Sequence, residues 1–230
     1  MLSKSQEKLI ASLKTKKGRR ETGLCLVEGK KILDLAGAYV ESLFTPKDTA
    51  VFEKLVSTQT PQEIAGIARL PSFSQKDLLL KDILIILDGV QDPGNVGTIF
   101  RLALAFDASI ALVHAADPGN PKVIRSSVGA IFHVPWKQFE EEELISFLAD
   151  HPRTMYRLEK RDTSLSLSSL SIKKPCIIIA GSEGQGIRLP LQGLSVSISH
   201  DSKMESLNVS HALAIMLYEF CHSPKKENPT

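Results

Sequence analysis

Residues 83–107, ILIILDGVQDPGNVGTIFRLALAFD, hold a strand, a tight loop and a helix in one unit, against which the rest of the chain is read. The unbroken apolar run Ile83 to Leu87, rich in branched side chains and closed by Asp88, has the length and composition of a strand buried on both faces. Pro93, Gly94 and Gly97 then surround Asn95, and Val96, Ile99, Phe100, Ala103 and Leu104 recur at helical spacing. Asn95 falls near the helix start and Arg101 about one and a half turns along it. Both are candidates for the crevice beyond the strand's carboxyl end, where open α/β sheets bind ligands.

Upstream, Ser3 to Leu13 predicts an amphipathic helix capped by Ser3 or Ser5, and a basic loop follows it. A strand at Gly23 to Val27, a helix from Glu28 to near Gly37, a strand at Ser42 to Thr45 and a helix at Lys47 to Ser57 come next. The turn Thr60 to Glu63 leads to Ile64–Leu70, and then Pro71, Ser72 and Ser74 break the periodicity. That break places a domain boundary at about Pro71 to Leu80. Residues 1–75 are expected to form a small N-terminal αβ domain, residues 80–222 a larger one, and 223–230 a frayed tail.

Downstream the alternation continues, with strands predicted at Ile110–His114, Phe132–Trp136, Arg153–Leu158, Cys176–Ala180 and Val196–Ser199. Helices are predicted from Asn120 and Pro121, a cap and first position, then at Gln138–Asp150 and Ser206–Cys221. The acidic run Glu140 to Glu143 lies in the first turns of its helix, where the macrodipole favours carboxylates, so it reads as structural and not as a metal site. Strands alternating with helices imply an α/β fold with a mainly parallel sheet and helices on both faces.

An apolar fraction of 43% in 230 residues is enough for a substantial core, and no apolar run is long enough to span a bilayer. The N-terminus lacks an apolar stretch and small-residue cleavage site behind its basic residues, so the expected location is the cytoplasm. Cys25, Cys176 and Cys221 are scattered, without a CxxC pair, and predict neither disulfides nor structural zinc. The net charge of +2 conceals a gradient, because Met1 to Lys31 alone carries +6. Lys14, Lys16, Lys17, Arg19 and Arg20 form a dense cluster that on a nucleic-acid protein would contact phosphates; alone it reads as a solvated surface.

Three predicted strand ends carry unusual chemistry: Asp92 to Arg101, Gly181 to Ile187 and Ile198 to Asn208. In a parallel sheet those ends share one edge, so the segments meet. A dinucleotide loop is excluded because Gly184-x-Gly186 is followed by Leu189 where the third glycine belongs, and no GxxxxGK[ST] is present. Taken singly, Asn95 and Ser206 read as helix caps, Arg101 as a surface arginine pairing Asp107, Glu183 as a solvated loop acid and Asn208 as a polar helix-face residue.

Taken together, DPGNVGTIFRLA, AGSEGQGI and SLNVSHALAIMLYE resemble, in order and spacing, the three motifs of the SpoU (TrmH-like) family of RNA ribose 2′-O-methyltransferases. LVEGKKILDLA and TPQE resemble the N-terminal substrate-binding domain that many members carry, a small αβ sandwich, with Glu63 where the family has glycine. PKVIRSSVGAIFHVP resembles a further stretch of the catalytic domain.

The resemblance implies S-adenosylmethionine as methyl donor, no metal, a trefoil knot in the C-terminal half, and a homodimer whose active site draws on both subunits. The knot comes from the resemblance alone, since general rules of chain topology favour an unknotted doubly wound sheet. It implies that Asn95, Arg101, Glu183, Ser206 and Asn208 hold catalytic or substrate-positioning places, and that Gly181, Ile198 and Leu207 hold the donor. Lys14, Lys16, Lys17, Arg19, Arg20 and Arg125 are the expected contacts to RNA, ribosomal in preference to transfer RNA. Arg101 is expected to clamp the target phosphate and hydroxyl, since a guanidinium with a pKa above about 12 is a poor base. Where the family usually has an Ile-Pro-Met turn and a glycine, this chain has Ile198-Ser199-His200-Asp201-Ser202, which sets His200 in place of an apolar contact to the donor. The alternative class is a catalytically silent RNA-binding or ribosome-assembly protein of the same fold.

Overall fold

The computed structural model describes residues 1–58 and 60–222, so the expected tail at 223–230 lies outside the described residues. Helix α1 (Lys4–Ser12) starts at a capping box in which the Ser3 hydroxyl and the Gln6 side chain each bond the other's backbone N–H. The segment expected to be a basic loop is instead a short helix, α2 (Lys16–Thr22), capped by Thr15 and stopped by Gly23 in the left-handed conformation at φ 69°. Strand β1 (Leu24–Glu28), helix α3 (Lys30–Ala36) and strand β2 (Val40–Phe44) follow, close to expectation. The helix expected at 47–57 contracts to a single turn, α4 (Phe52–Leu55), before strand β3 (Ala65–Arg69). These strands form a three-stranded antiparallel sheet in the order β1-β3-β2.

Helix α5 (Gln75–Leu79) lies within the expected boundary and packs on the second sheet, where the Ser109 hydroxyl donates to the Leu78 carbonyl at 2.8 Å. The elements then run β4 (Ile83–Asp88), α6 (Pro93–Ala105), β5 (Ala108–Val113), α7 (Pro121–Ser127), β6 (Trp136–Gln138), α8 (Glu141–Asp150) and β7 (Thr154–Leu158). A two-residue strand β8 (Leu165–Ser166), β9 (Cys176–Gly181), β10 (Leu194–Ser197) and α9 (Val209–His222) complete the described chain. The strand expected at Phe132–Trp136 is corrected: residues 130–132 form a 3-10 turn that buries Phe132 by itself, and pairing begins only when Trp136 meets Ile110.

All neighbours in the seven-stranded sheet pair in parallel, in the order β6-β5-β4-β9-β7-β10-β8. The alternation of side chains along each strand builds two cores. Ile83, Ile85 and Leu87 of β4 face a layer that includes Ile99 and Phe100 of α6 and Leu213 and Met216 of α9, whereas Leu84 and Ile86 face Leu78 of α5 and Leu144 and Phe147 of α8. Helices therefore cover both faces, as a fully parallel sheet demands. Gly97 lets α6 and α7 approach closely, because a Cβ there would lie 1.9 Å from Ser126 Oγ and 2.6 Å from the Val123 carbonyl oxygen.

The two sheets share one apolar core: Cys25, Val27, Leu33 and Ala68 belong to the same buried cluster as Val123 and Ile124 of α7. Two buried charges span the same junction. Arg19 is 5% exposed and donates to Asp117 Oδ2 from Nε at 2.8 Å and Nη2 at 2.6 Å, while Nη1 donates to the Leu13 carbonyl at 2.7 Å. Glu28 of β1, 3% exposed, accepts from the Ser57 N–H at 2.9 Å and Thr58 Oγ1 at 2.8 Å, and lies 3.5 Å from Arg125 of α7.

Candidate active site

Three loops leave the carboxyl edge of the parallel sheet side by side. The pairing of Asp88 with Gly181 sets the ends of β4 and β9 level, and β10 lies one strand further on, beyond β7. Asp88 is 1% exposed and accepts from the backbone N–H groups of Arg188 (2.5 Å) and Leu189 (2.8 Å), tying the loop after β9 to the end of β4. Sequence reasoning used Asp88 only as a strand terminator. A carboxylate closing a wholly apolar strand is a signal that could have found it, since a buried charge requires partners.

Asp92 caps α6, accepting from the Asn95 N–H at 2.8 Å. That bond, and after it Lys122, holds the Asp92 carboxyl below the usual carboxylate range. With Asp92 as cap, the Asn95 side chain is free to turn towards the other loops. Its Nδ2 donates to Glu183 Oε1 at 3.2 Å. Asn208 donates from Nδ2 to Glu183 Oε1 at 2.8 Å and to Asn95 Oδ1 at 2.9 Å. The Asn208 Oδ1 accepts from the Ser210 N–H at 3.0 Å and the Ser210 hydroxyl at 2.6 Å. Asn208 therefore caps α9, and Ser206, three residues before its first residue Val209, does not. Two amides and a carboxylate from three sequence-distant loops thus close a triangle in which each group touches the other two.

Arg101 stands apart from that triangle. It is exposed and makes no hydrogen bond or ion pair among the described residues, and Asp107, its expected partner, pairs instead with Lys81 at 2.5 Å. Six residues along α6 place it about 9 Å from Asn95 along the axis and roughly 120° around it.

Ile198, Leu207 and Ser206 line a cavity of about 120 Å³ between the ends of β7 and β10 and the start of α9, together with Leu158, Val196 and His200. At its rim Glu159 is pulled upward by burial, but bonds from Arg157 and Ser195 outweigh this and leave its carboxyl below the usual range. Gly181 does not line the cavity. It ends β9, and a Cβ there would lie 2.1 Å from the Gly186 carbonyl carbon, because the loop folds back to bridge Ser182 with Gly186. A larger hollow of about 430 Å³ lies in the N-terminal module along Pro46, Thr49 to Lys54 and Pro61 to Glu63, and holds no residue of the three C-terminal motifs.

The expected RNA contacts divide. Lys16 and Arg20 are exposed, and Lys17 is exposed with Glu21 at 3.9 Å. Lys14 is exposed but donates to the Lys54 and Val56 carbonyls, each at 2.9 Å. Arg19 is corrected: its guanidinium is consumed by Asp117 and Leu13 inside the protein, so it is not available to phosphate. Arg125 is engaged too, bonding Ser57 Oγ and facing Glu28.

Among the described residues, no group of three or more His, Cys, Asp or Glu is placed to hold a metal, and no helix is long and apolar enough to cross a membrane. Comparison with known proteins agrees with the geometry. Residues 82–218 match the model of the SpoU rRNA Methylase family. The chain is 27% identical to the 23S rRNA (guanosine(2553)-2′-O)-methyltransferase RlmP of Bacillus subtilis, over 90% of this chain and 92% of that one. It is 30% identical to the 23S rRNA (adenosine(1067)-2′-O)-methyltransferase of Streptomyces azureus, over 75% of this chain and 67% of that one. Its fold superposes on the AdoMet-bound rRNA methyltransferase of Sinorhizobium meliloti with a TM-score of 0.82 at 26% identity, covering 96% of this chain and 95% of the other.

Proposed function

The chain belongs to the SpoU rRNA methylase family, and from that membership we propose that it methylates a ribose 2′-hydroxyl of a structured RNA, ribosomal RNA in preference to transfer RNA, with S-adenosylmethionine as donor. The observation that carries the reading is the Asn95–Glu183–Asn208 triangle, which joins all three motifs at one sheet edge. The donor supplies a methyl group already activated on a sulfonium. The residues present fit it: the neighbouring cavity has apolar walls from Ile198, Leu207 and Val196 and one buried polar atom, His200 Nε2, without a partner.

Transfer would form the C–O bond as the C–S bond breaks, releasing S-adenosylhomocysteine, and the hydroxyl proton would pass to solvent water. Alignment of the three atoms is the main demand, and positioning of this kind is worth roughly 7–11 kcal/mol. Arg101, exposed and unpaired among the described residues, presents a guanidinium suited to bidentate capture of the target phosphate. Glu183, held by two amides, orients the nucleotide against that clamp, and Ser206 adds a hydroxyl at the cavity mouth.

A homodimer accounts for the separation of Arg101 from the triangle. Leu104, one turn from Arg101, is 46% exposed, and Ile215 and Tyr218 of α9, which packs on α6, are 42% and 57% exposed, large apolar side chains of the kind a dimer face would cover. Docked on a second copy, that face would deliver Arg101 to the partner's cavity. The trefoil knot rests on the family membership, and the strand order, in which β9 and β10 enter between strands made earlier in the chain, is compatible with it. Residues 1–75, with Lys16, Lys17 and Arg20 outward, are read as the RNA-binding domain and 80–222 as the methyltransferase domain. Three free thiols are compatible with the cytoplasm.

The test is transfer of labelled methyl from S-adenosylmethionine to total RNA from cells lacking this protein, with digestion to nucleosides. Label is expected in ribose 2′-O-methyl nucleosides and at least 100-fold less of it with Arg101→Ala. RNA binding without methyl transfer or donor binding would overturn the reading in favour of a silent RNA-binding protein.

A further inference from the structure

His200 is where the structure leaves a polar group unanswered. Among the described residues, its Nε2 is the one buried side-chain nitrogen or oxygen with no hydrogen-bond partner. Its other nitrogen, Nδ1, lies 2.7 Å from the Ile198 carbonyl oxygen. A carbonyl can only accept, so Nδ1 carries the hydrogen. In the neutral ring Nε2 is then a bare lone pair, and a buried acceptor without a donor is costly enough to call for an explanation.

The surroundings specify the donor it awaits. The ring lines the same cavity as the apolar residues Leu158, Val196, Ile198, Leu207 and Ala212, with Glu159, Lys160, Ser197, Glu205 and Ser206 completing the lining and none of them bonded to Nε2. At about 120 Å³ the cavity is well below the ~300–1,000 Å³ of sites that enclose a drug-sized ligand, so it takes one ring system and not a whole nucleoside with its amino-acid arm. In S-adenosylmethionine the flat, mostly apolar portion is the adenine. With N9 bonded to ribose, the only N–H groups on that base are those of the 6-amino substituent.

We propose that His200 Nε2 accepts a hydrogen bond from the 6-amino group of the donor's adenine, making His200 a specificity residue that reads adenine from its side chain. This rests on S-adenosylmethionine being the donor. An apolar residue in the same place would offer packing alone. The Ile198 carbonyl sets the tautomer and the ring orientation, so the loop Ile198 to Ser202 acts as a preset acceptor.

Calorimetry tests this without relying on turnover. The full chain is titrated with S-adenosylhomocysteine and with its 6-oxo counterpart, S-inosylhomocysteine, whose oxygen would face the Nε2 lone pair. Wild-type protein is expected to prefer the adenosyl ligand by tenfold or more. His200→Leu should bind it about tenfold more weakly while holding the inosyl ligand as well as wild type does, so that the preference collapses. His200→Gln, which restores an acceptor oxygen, should recover part of the preference, and thermal melts establish that both variants fold. Equal weakening towards both ligands, or an unchanged preference in His200→Leu, would overturn the role of His200 while leaving the donor reading intact. Failure of wild-type protein to bind either ligand would overturn the donor reading and this proposal with it.

Discussion

The basic segment Lys14–Arg20 and the three loops at the sheet edge both crowd polar side chains, and the structure uses them in opposite ways. In the basic segment, neighbours in sequence part company: Lys16, Lys17 and Arg20 face solvent while Arg19 is buried against Asp117, nearly a hundred residues away. At the edge, residues far apart in sequence converge until Asn95, Glu183 and Asn208 touch. A charge count describes a surface only if every charge is on it. Spacing within a strand-loop-helix unit is more informative, because the sheet's register turns it into position.

Breaking the buried member of the first region should have the largest effect. Arg19→Ala leaves Asp117 uncompensated, and removing one partner of a buried pair costs about 3–5 kcal/mol. Urea denaturation should show the loss as a lower midpoint. The double variant Arg19→Met with Asp117→Leu should recover most of it, because the penalty lies in the orphaned charge and not in the absence of the pair. Full stability in Arg19→Ala would place that arginine with its exposed neighbours and erase the contrast.

In the second region, Asn208 performs two tasks that one substitution separates. Its Oδ1 caps α9, and its Nδ2 joins Glu183 to Asn95. Asn208→Asp keeps an acceptor for the cap but replaces the donor with a carboxylate oxygen facing Glu183 Oε1. Methyl transfer should fall about 100-fold, roughly 2.7 kcal/mol in barrier, with the melting temperature nearly unchanged. Asn208→Ala should lose both, adding a capping loss of about 1 kcal/mol. An Asn208→Asp variant as active as wild type would show that the triangle is a structural tie only.

These contrasts also explain what was legible beforehand. The apolar run Ile83–Leu87 announced β4 because a strand covered on both faces leaves no polar alternation. The run Phe132–Trp136 looked similar and was not a strand, because Gly129, at φ 86°, opens a 3-10 turn that buries Ile131 and Phe132 without sheet pairing. Helix α2 was missed since KKGRRET has no apolar stripe; it depends on the Thr15 cap and on Arg19 reaching inward. The residues of the triangle were readable from the motifs, but their contact depends on the level pairing of Asp88 with Gly181, which is a property of the assembled sheet. His200 was visible as an oddity, whereas its unpartnered Nε2 required coordinates.

The exposed part of the basic segment should give a smaller effect than either of these. Replacing Lys16, Lys17 and Arg20 together with alanine should weaken RNA binding about tenfold and reduce the slope of log affinity against log salt by up to about 2–3, since each lost phosphate contact takes nearly one counterion with it. Stability should stay within about 0.5 kcal/mol of wild type, as expected for solvated positions. An unchanged slope would mean that this face does not meet RNA.

The smallest effect is expected where the sheet edge passes into α6. Asp92→Ala removes the cap that frees the Asn95 side chain, at about 1 kcal/mol. Because the Asn95 N–H and then Lys122 depress the folded-state pKa of Asp92, its contribution is present above the ordinary carboxylate value of about 4 and is lost as pH falls through the lowered one. Wild type and Asp92→Ala should therefore differ in stability at pH 7 and converge towards pH 2, a trend that denaturation at several pH values would read directly. A gap that persisted at pH 2 would assign the cap's value to geometry that survives protonation, and Asp92 would then hold Asn95 in place by shape and not by charge.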